Sequence, residues 1–381
     1  SCIGRDLVLT LLHIIYTIWW EIPMGEEVFI NGNEAIGRGA LNAGCRHFFG
    51  YPIPPQNEIP EFFSRELPPR GGRFVQAESE SAVGAMLFGA AAAGVRVMTS
   101  TSSPGWALMQ EMLSHISYCE LPCVVVDVQR GGPGQGTVRH AQTDYLSATR
   151  GGCGGFKSIV LAPASPQECH DLVQLAFYLA DKYCILAVVL SDGILGQLTE
   201  PVELKMIDFG PLPAKPWALK GISRKGGRFD HIHSTRGIIP PIYRTVMQGL
   251  FEKYQRVIDT EVRFETYQVE DARLTLIAYG YVARVCKEAI NMARGIGLKV
   301  GLIQPVTLWP FPYQIVRQKA AQGSKFLVVE DSMGQLIEDV KLGVEGREEV
   351  SFWGMAERHS VGELGMLFPE GVFEEVKRCY E

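Results

Sequence analysis

The sequence predicts an α/β protein built on a doubly wound parallel sheet and followed by a smaller α/β domain. Apolar runs without polar alternation, such as LPCVVVDVQR at 121–130 and CILAVVLSDG at 184–193, are typical of parallel strands buried on both faces. Segments with helical periodicity lie between these runs, which indicates helices that cover both faces of the sheet.

The first domain is predicted over residues 25–198, where strands and helices alternate along the chain. Gly94 follows an Ala-rich helical run and is a typical helix C-cap. Ser165 as N-cap and Pro166 in the first turn predict the start of a later helix. The predicted elements are strand, helix and strand within 27–52, a helix at 82–94, a strand at 95–101, a helix at 106–120, a strand at 121–130, a helix at 165–183 and a strand at 184–193.

A connector is predicted over residues 199–257, because six prolines and several glycines interrupt any regular pattern there, and a helix near 240–258 closes it. The second domain, 258–381, repeats the α/β pattern on a smaller scale. Its predicted strands lie at 274–280, 299–306 and 325–331, and its predicted helices at 281–297, 312–323 and 334–344.

The N-terminal residues differ from the rest of the chain. The stretch LVLTLLHIIYTIWW at 7–20 is apolar but shorter than the roughly 20 residues that a membrane span needs. It is similar to a signal-peptide core with Arg5 as a basic flank, but no small-x-small cleavage site follows. We therefore expect residues 1–24 to be a non-native or disordered leader, and we expect no membrane partner.

Charge and cysteine spacing exclude several classes of protein. The formal net charge is -6, and no basic stretch interleaved with aromatic residues occurs, so we expect no nucleic-acid partner. Nine cysteines are scattered without a C-x-x-C pair. This pattern predicts reduced thiols in a cytoplasmic protein and no metal or iron–sulfur site on this chain.

Two glutamates, Glu78 and Glu80, stand at the head of the nearly uncharged helix at 82–94. Acids in a first turn commonly complement the helix dipole, so a purely structural role is one explanation. The same helix carries small residues that would let another helix or a flat cofactor approach closely. These small residues are Ser81, Ala82, Gly84, Ala85, Gly89 and Ala90.

Glu80 is followed by small residues and, nine positions later, by Gly89. This pattern resembles the pyrimidine-binding domain of thiamine-diphosphate enzymes. Over residues 25–353 the motifs of the chain follow the same order as in the alpha subunit of 2-oxoacid:ferredoxin oxidoreductases, and the chain resembles that subunit. The second domain of the subunit is transketolase-C-terminal-like. The motifs YPIPPQNEIPEFFS and RGGPGQG are most similar to the 2-oxoisovalerate branch, with the 2-oxoglutarate branch close behind. Other motifs that carry the resemblance are QAESESAVGAMLFGAAAAG, MTSTSSPGWALMQE, LSDGILGQLTEPVE and FLVVEDSMGQLIEDV.

The resemblance implies roles for particular residues. Glu80 is expected to bond the aminopyrimidine ring of thiamine diphosphate, and Arg130 to face the substrate carboxylate, which a guanidinium group binds bidentately. From the residues alone, a strand-end arginine paired with a local acid is the simpler explanation of Arg130. The other implied cofactor-binding residues are Tyr51, Pro52 and Ile53 and, in the predicted turn SSPG, Ser102 and Ser103, for which ordinary turn chemistry is the alternative.

Position 54 departs from the family pattern, which usually reads Tyr-Pro-Ile-Thr-Pro with the threonine hydroxyl near the substrate. Pro54 offers neither a hydroxyl group nor a backbone N–H. We expect Pro54 to lie in the substrate-binding site, where one hydrogen bond to the oxoacid is then absent or is supplied by another group. The identity of the substrate, and activity itself, are left open by this departure.

The chain has no Gly-Asp-Gly motif to anchor a diphosphate and Mg²⁺, and no four-cysteine set for a 4Fe–4S cluster. The resemblance implies a thiamine diphosphate site shared with a beta subunit that carries Mg²⁺ and the cluster, together with a gamma subunit and ferredoxin. The implied reaction is oxidative decarboxylation of a 2-oxoacid with coenzyme A to acyl-CoA, CO₂ and reduced ferredoxin. Two alternatives remain: a non-catalytic subunit that kept the fold, and another thiamine enzyme such as a transketolase-like protein, against which the missing diphosphate motif argues.

Overall fold

The structure, a computed structural model, describes residues 27–219, 221, 232, 239–355 and 366–380. The predicted leader at residues 1–24 lies outside these residues. The described residues form two mainly parallel sheets, helices packed against them, and one short antiparallel strand pair.

Strands and helices alternate in the first part of the chain. The strands are β1 (Glu27–Asn31), β2 (His47–Gly50), β3 (Arg73–Gln76), β4 (Val97–Thr101), β5 (Cys123–Gln129), β6 (Ile159–Leu161), β7 (Leu186–Asp192) and β8 (Thr199–Glu203). The helices are α1 (Gly32–Asn42), α2 (Glu58–Glu66), α3 (Glu80–Ala92), α4 (Ser103–Tyr118), α5 (Tyr145–Arg150), α6 (Pro166–Tyr183) and α7 (Gly193–Gln197), with short 3-10 turns at Pro68–Arg70 and Cys153–Gly155.

The long helix α8 (Pro240–Thr260) occupies the place of the helix predicted at 240–258. The residues that follow it are called the second unit here. The strands of the second unit are β9 (Phe264–Tyr267), β10 (Leu274–Ile277), β11 (Val300–Pro305), β12 (Thr307–Trp309), β13 (Lys325–Val329) and β14 (Val350–Trp353), and its helices are α9 (Gly280–Gly295), α10 (Tyr313–Ala321), α11 (Leu336–Val344) and α12 (Pro369–Tyr380).

The larger sheet has seven strands in the order β12-β6-β7-β5-β4-β2-β3, and every neighbouring pair except β12–β6 is parallel. On one face, Val125 of β5 belongs to a core with Leu87 of α3 and Trp106 of α4. On the other face, Val124 and Val126 belong to a core that α1 and α6 cover. Because successive side chains of a strand point to opposite faces, β5 is buried on both sides, and the predicted doubly wound α/β fold is confirmed.

The smaller sheet has the order β14-β13-β10-β11-β9, with β9 antiparallel to its neighbour and the other pairs parallel. The second unit also contributes β12 to the larger sheet, where it pairs antiparallel with β6. Strand β12 was not predicted, because its three residues are too few to show a strand period. The domain boundaries at 198 and 257 stay predictions.

Capping side chains set the starts of two helices that matter for the site. The hydroxyl oxygen of Ser165 accepts a hydrogen bond from the Glu168 backbone N–H at 3.1 Å, which confirms the predicted N-cap of α6. In the same way, Ser79 Oγ accepts from the Ala82 N–H at 3.3 Å. This cap makes Glu80 the first residue of α3.

The prediction of a turn at SSPG was wrong in one respect. Ser102 is the N-cap of α4 and Ser103 is its first residue, so the helix begins three residues before the predicted start at 106. Pro104 fits the first turn of a helix because its missing N–H has no intrahelical partner there. The helix N-terminus therefore lies directly at the carboxyl end of β4.

Candidate active site

Glu80 is buried at the N-terminus of α3. Its residue exposure is 6%, whereas Glu78, two positions earlier, is exposed to solvent. The positive end of the helix dipole stabilises a carboxylate at this place. Among the described residues, no side-chain hydrogen bond or ion pair involves the Glu80 carboxylate. A buried carboxylate in this state is available to bond a polar atom of a ligand.

The junction of β4 and α4 lies against Glu80. It holds two buried hydroxyl oxygens without a hydrogen-bond partner in the described structure, Thr101 Oγ1 and Ser102 Oγ. A Cβ at Gly105 would lie 2.5 Å from Glu80 Oε1 and closer still to Thr101 Oγ1. The absence of a side chain at position 105 therefore lets the glutamate approach the α4 N-terminus.

The predicted small-residue face of α3 is divided between packing and solvent. A Cβ at Gly84 would lie 2.8 Å from the Met112 Cβ, so this glycine permits the close approach of α3 to α4. Ser81, Ala85 and Gly89, one turn apart from each other, are exposed. One part of the face thus serves helix packing, and the other part is open beside Glu80.

Arg130 follows β5 and is 5% exposed. Its Nη1 donates to the Pro54 carbonyl at 2.9 Å, and its Nη2 donates to the Gln135 carbonyl at 3.1 Å. Its Nε is buried without a partner. No ion pair of Arg130 is formed within the described part of the chain, so the arginine ties two loops through carbonyl groups and keeps one buried donor unused.

The loop after β2 holds four residues that were predicted to lie beside the cofactor and the substrate. Gln56 anchors this loop, because its Nε2 donates to the Tyr51 carbonyl at 3.3 Å and its Oε1 accepts from Ser100 Oγ. Three of the four predicted residues are exposed and one is half-buried. They are Tyr51, Pro52 and Pro54 and, half-buried, Ile53.

Two acids that the sequence analysis did not select belong to the same site. Asp127 on β5 is fully buried, and its carboxylate oxygens have no side-chain hydrogen bond among the described residues; the Ser103 backbone N–H faces them. Asp144 is 8% exposed, and its Oδ2 accepts a hydrogen bond from Ser103 Oγ. A carboxyl group within the apolar run VVVDVQ was a signal that could have found Asp127.

The pKa of each of these two acids is displaced upward. Burial raises the pKa of Asp127 well above its ordinary value, and the nearby Asp144 charge raises it further. Burial likewise raises the pKa of Asp144 to about 6. The Ser103 hydrogen bond and the Arg130 charge act in the opposite direction on Asp144, but burial is the larger effect.

The segments that carry the predicted site residues share one edge of the larger sheet. Pro54 follows β2, Glu80 follows β3, Ser102 follows β4 and Arg130 follows β5. These four strands are mutually parallel, so their carboxyl ends meet at the same edge, where ligands of doubly wound sheets bind. The catalytic and binding roles of these residues stay predictions.

A cleft of about 900 Å³ opens between α4, the loop at 132–135 and the second unit. Asp144 lies in its wall. Leu108 on α4 and Met333 of the second unit are 57% and 80% exposed, and they make the wall apolar. The cleft volume falls within the range of about 300 to 1,000 Å³ that is common for small-molecule sites.

Gln142 ties the far end of the loop after Arg130 to the second unit. Its backbone N–H donates to the Asp331 carbonyl at 2.7 Å, and its Nε2 donates to the Tyr279 carbonyl at 2.9 Å. Both walls of the cleft are therefore fixed relative to each other by buried hydrogen bonds.

Among the described residues, no group of three or more His, Cys, Asp or Glu side chains is arranged to hold a metal ion. The cysteines in the same ranges are free thiols. Of the helices in these ranges, none is long and apolar enough to cross a bilayer.

Two family models match the chain. Residues 38–263 match the thiamine-diphosphate-binding domain of pyruvate flavodoxin/ferredoxin oxidoreductases, and residues 272–361 match core domain II of pyruvate:ferredoxin oxidoreductase. The chain belongs to the 2-oxoacid:ferredoxin oxidoreductase family. The resemblance predicted from the motifs is thereby confirmed.

Curated members of this oxidoreductase family align over most of their length. Ketoisovalerate oxidoreductase subunit VorB of Methanothermobacter marburgensis is 44% identical over 82% of this chain and 88% of the relative. The 2-oxoglutarate synthase subunit KorA of the same organism is 38% identical, over 86% of this chain and 94% of the relative. Both relatives are named as subunits of oxidoreductases or synthases, so the chain is similar to components of multi-subunit enzymes.

A solved member of the oxidoreductase family shares the fold. The 2-oxoglutarate:ferredoxin oxidoreductase from Magnetococcus marinus, solved with 2-oxoglutarate, coenzyme A and succinyl-CoA, matches with a TM-score of 0.83 at 30% identity over 94% of this chain. The chain spans 66% of that solved chain. A split-gene transketolase matches with a TM-score of 0.58 at 13% identity, which shows a shared fold alone.

Proposed function

We propose that this chain is the 2-oxoacid:ferredoxin oxidoreductase subunit that binds the aminopyrimidine half of thiamine diphosphate. The observation that carries the proposal is the buried Glu80 carboxylate, which has no partner among the described residues. Thr101 and Ser102 place two more buried, unpartnered polar atoms at the adjacent junction. Such groups fit the polar edge of a heteroaromatic ring, because each can complete a hydrogen bond there.

Thiamine diphosphate, when bound, supplies a nucleophilic carbon and an electron sink for decarboxylation of a 2-oxoacid. The Glu80 carboxyl group, which has no partner among the described residues, would form a hydrogen bond with a ring nitrogen of the aminopyrimidine and orient that ring. Arg130 binds the oxoacid carboxylate through its unused Nε–H, while its two other nitrogens stay bonded to loop carbonyls. Once a partner subunit covers the exposed Leu108 and Met333, this apolar wall of the cleft would limit the access of water.

Partner subunits supply what the sequence lacks. Because the chain has no Gly-Asp-Gly motif, we propose that a beta subunit holds the diphosphate, Mg²⁺ and a 4Fe–4S cluster, and that a gamma subunit completes the complex. The exposed apolar side chains Leu108 and Met333 beside the cleft suit a protein interface. Coenzyme A and ferredoxin are the proposed acceptors of the acyl group and the electrons, in the cytoplasm.

The proposed substrate is a branched-chain 2-oxoacid such as 2-oxoisovalerate. The relative named for ketoisovalerate has higher identity than the relative named for 2-oxoglutarate, 44% against 38%. Pro54 adds an apolar ring next to Arg130 where the family usually has a hydroxyl group. The second candidate is 2-oxoglutarate, which the solved relative from Magnetococcus marinus supports.

The test uses the chain co-expressed with its partner subunits. Reduction of a viologen dye is measured with 2-oxoisovalerate, 2-oxoglutarate and pyruvate side by side, and hydrogen–deuterium exchange at the reactive carbon of the bound cofactor is followed by NMR. Glu80→Gln should abolish both signals while the complex still assembles. Glu78→Gln is the matched control, because this neighbouring acid is exposed and should leave both signals unchanged.

Full activity of Glu80→Gln would contradict the catalytic assignment. A wild-type complex that assembles and binds the cofactor but turns over none of the three oxoacids would favour the alternative, a non-catalytic subunit.

A further inference from the structure

Asp127 and Asp144, called the acid pair here, form a buried charge cluster with Arg130. Asp127 lies on β5, three residues before the arginine, and no side chain in the described part of the chain forms a hydrogen bond with its carboxylate oxygens. Asp144 accepts from Ser103 Oγ, and the same Ser103 Oγ accepts a hydrogen bond from the Arg130 backbone N–H at 3.2 Å. Two acids and one base therefore share a site that is almost closed to solvent.

The composition of this cluster limits how many charges it can carry. Two ionised carboxylates and one guanidinium would leave an uncompensated negative charge where water cannot solvate it, which is strongly unfavourable. Retaining one proton on the acid pair makes the cluster neutral. The upward displacement of the pKa of both carboxyl groups, caused mainly by burial, agrees with this count.

Within the residues that the structure describes, Arg130 is the cation that acts on the acid pair. The other ionisable groups around the acid pair are acids, a phenol, and a histidine that is already paired with an acid. They come from α3, from the ends of β7 and of the loop after β5, and from the second unit. They are Glu80, Asp192, Tyr279, Glu330 and the His140–Asp331 pair, whose nearest charged atoms are 3.6 Å apart.

We propose that Asp127 and Asp144 are positioning residues that make binding of the oxoacid carboxylate at Arg130 depend on the uptake of one proton by the acid pair. This inference rests on the proposed role of Arg130 in binding the substrate. The incoming carboxylate adds a negative charge to a neutral cluster, and a second proton on the acid pair restores neutrality. The proton comes from solvent through the cleft, whose wall includes Asp144, and no bond of the oxoacid is broken in this step.

The expected consequence is a pH-dependent KM. The 2-oxoacid itself is fully ionised between pH 6 and pH 8.5, so its own titration does not contribute. Above about pH 6, the KM of the wild-type complex should rise with pH, with a limiting slope of about tenfold per pH unit for one linked proton. At saturating oxoacid concentrations, kcat should not show this dependence on pH.

The double variant Asp127→Asn with Asp144→Asn removes both titrating groups with little change in shape. Its KM should lose the pH slope and should fall below the wild-type KM at pH 8, because the Arg130 charge then compensates the incoming carboxylate without any proton uptake. A merely structural role would instead raise KM at every pH and keep the slope. Asp208→Asn, at an exposed aspartate outside the cleft, is the control and should keep the wild-type profile.

Single variants and a spectroscopic measurement keep the test decisive if the double variant folds poorly. Asp127→Asn and Asp144→Asn, each alone, should keep a slope, because the remaining carboxylate balances Arg130 and takes up the proton when the oxoacid binds. Infrared spectra of the complex at pH 7 should contain the band of a protonated carboxyl group that weakens in whichever variant is stable. A wild-type KM that is flat between pH 6 and pH 8.5, a slope kept in the double variant, or a carboxyl band that is unchanged in both single variants would overturn the inference.

The failure of this inference can be told apart from the failure of the proposed function. If Arg130→Ala leaves the KM for the oxoacid unchanged, the proposed role of the arginine is wrong and the inference falls with it. If Arg130→Ala raises KM but the double aspartate variant keeps the wild-type slope, the role of the arginine stands and the acid pair alone is wrongly assigned.

Discussion

Arg130 Nη1 donates a hydrogen bond of 2.9 Å to the carbonyl oxygen of Pro54. Because the acceptor is a backbone atom, this bond does not depend on the side chain at position 54. The departure from the family motif at that position therefore leaves Arg130 in place. It changes only the chemical character of the group that stands beside the guanidinium.

Restoring the family residue tests what the departure does. Pro54→Thr keeps the carbonyl acceptor and adds a hydroxyl group near the proposed oxoacid site. One additional neutral hydrogen bond contributes about 0.5 to 1.5 kcal/mol, so the KM for the preferred oxoacid should fall by about 2- to 10-fold. Steady-state kinetics with all three oxoacids measure this, and an equal or higher KM for each of them would place Pro54 outside the substrate site.

Removing the guanidinium group should weaken oxoacid binding. Arg130→Ala deletes a charge-assisted contact in a buried place, which costs about 2 to 4 kcal/mol, a rise in KM of at least about 30-fold. The kcat at saturating oxoacid should fall less than kcat/KM. Arg139→Ala, at an exposed arginine of the same loop, is the control and should change KM little. An unchanged KM for Arg130→Ala would leave this arginine with only its role of joining two loops.

The glycine that faces Glu80 should be essential for activity. In Gly105→Ala the new methyl group would collide with Glu80 Oε1 and Thr101 Oγ1, so the carboxylate must move. A displacement of about 1 Å at a catalytic group can lower the rate about 100-fold. Dye reduction measures the rate, and the thermal midpoint shows whether the fold is kept.

Gly89→Ala is the matched control on the neighbouring helix α3. A Cβ at position 89 meets nothing within 4 Å, and alanine is the better helix former by about 0.5 to 1 kcal/mol. This variant should be at least as stable and as active as the wild type. If Gly105→Ala were as active as Gly89→Ala, the close approach of Glu80 to α4 would have no catalytic importance.

Asp192 should make the stability of the chain fall with rising pH. Burial raises the pKa of its carboxyl group to about 7, while its Oδ1 accepts hydrogen bonds from the Ile194 and Leu195 backbone N–H groups at 2.9 and 3.0 Å. Since the folded pKa is above the unfolded value of about 3.9, the folded state binds the proton more tightly, and this contribution to stability is lost as pH rises from about 4 to about 7.

Asp192→Asn keeps an acceptor oxygen for the helix cap but cannot ionise. The variant should therefore have a higher thermal midpoint than the wild type at pH 8, and the difference should shrink or reverse at pH 5. Thermal unfolding in a series of buffers measures this. A difference between the two proteins that is constant from pH 5 to pH 8 would mean that Asp192 does not titrate in this range.

The sequence alone could predict the parts of the structure that depend on neighbouring residues. The unbroken apolar runs at β5 and β7 identified strands buried on both faces, and Ser165 with Pro166 marked the start of α6. The ordered motifs identified the family. These features are local or follow chain order, so they can be read without knowing which distant segments meet.

Which side chains share the site was decided only by the tertiary structure. The sequence QAESES does not show which of its two glutamates is buried. Glu80 is buried and Glu78 is exposed because Ser79 caps α3 and makes Glu80 its first residue. Asp127 and Asp144 came together with Arg130 only through the packing around the end of β5. In a parallel sheet, loops that are distant in sequence meet at the carboxyl ends of the strands, and that proximity leaves no periodic trace in the sequence.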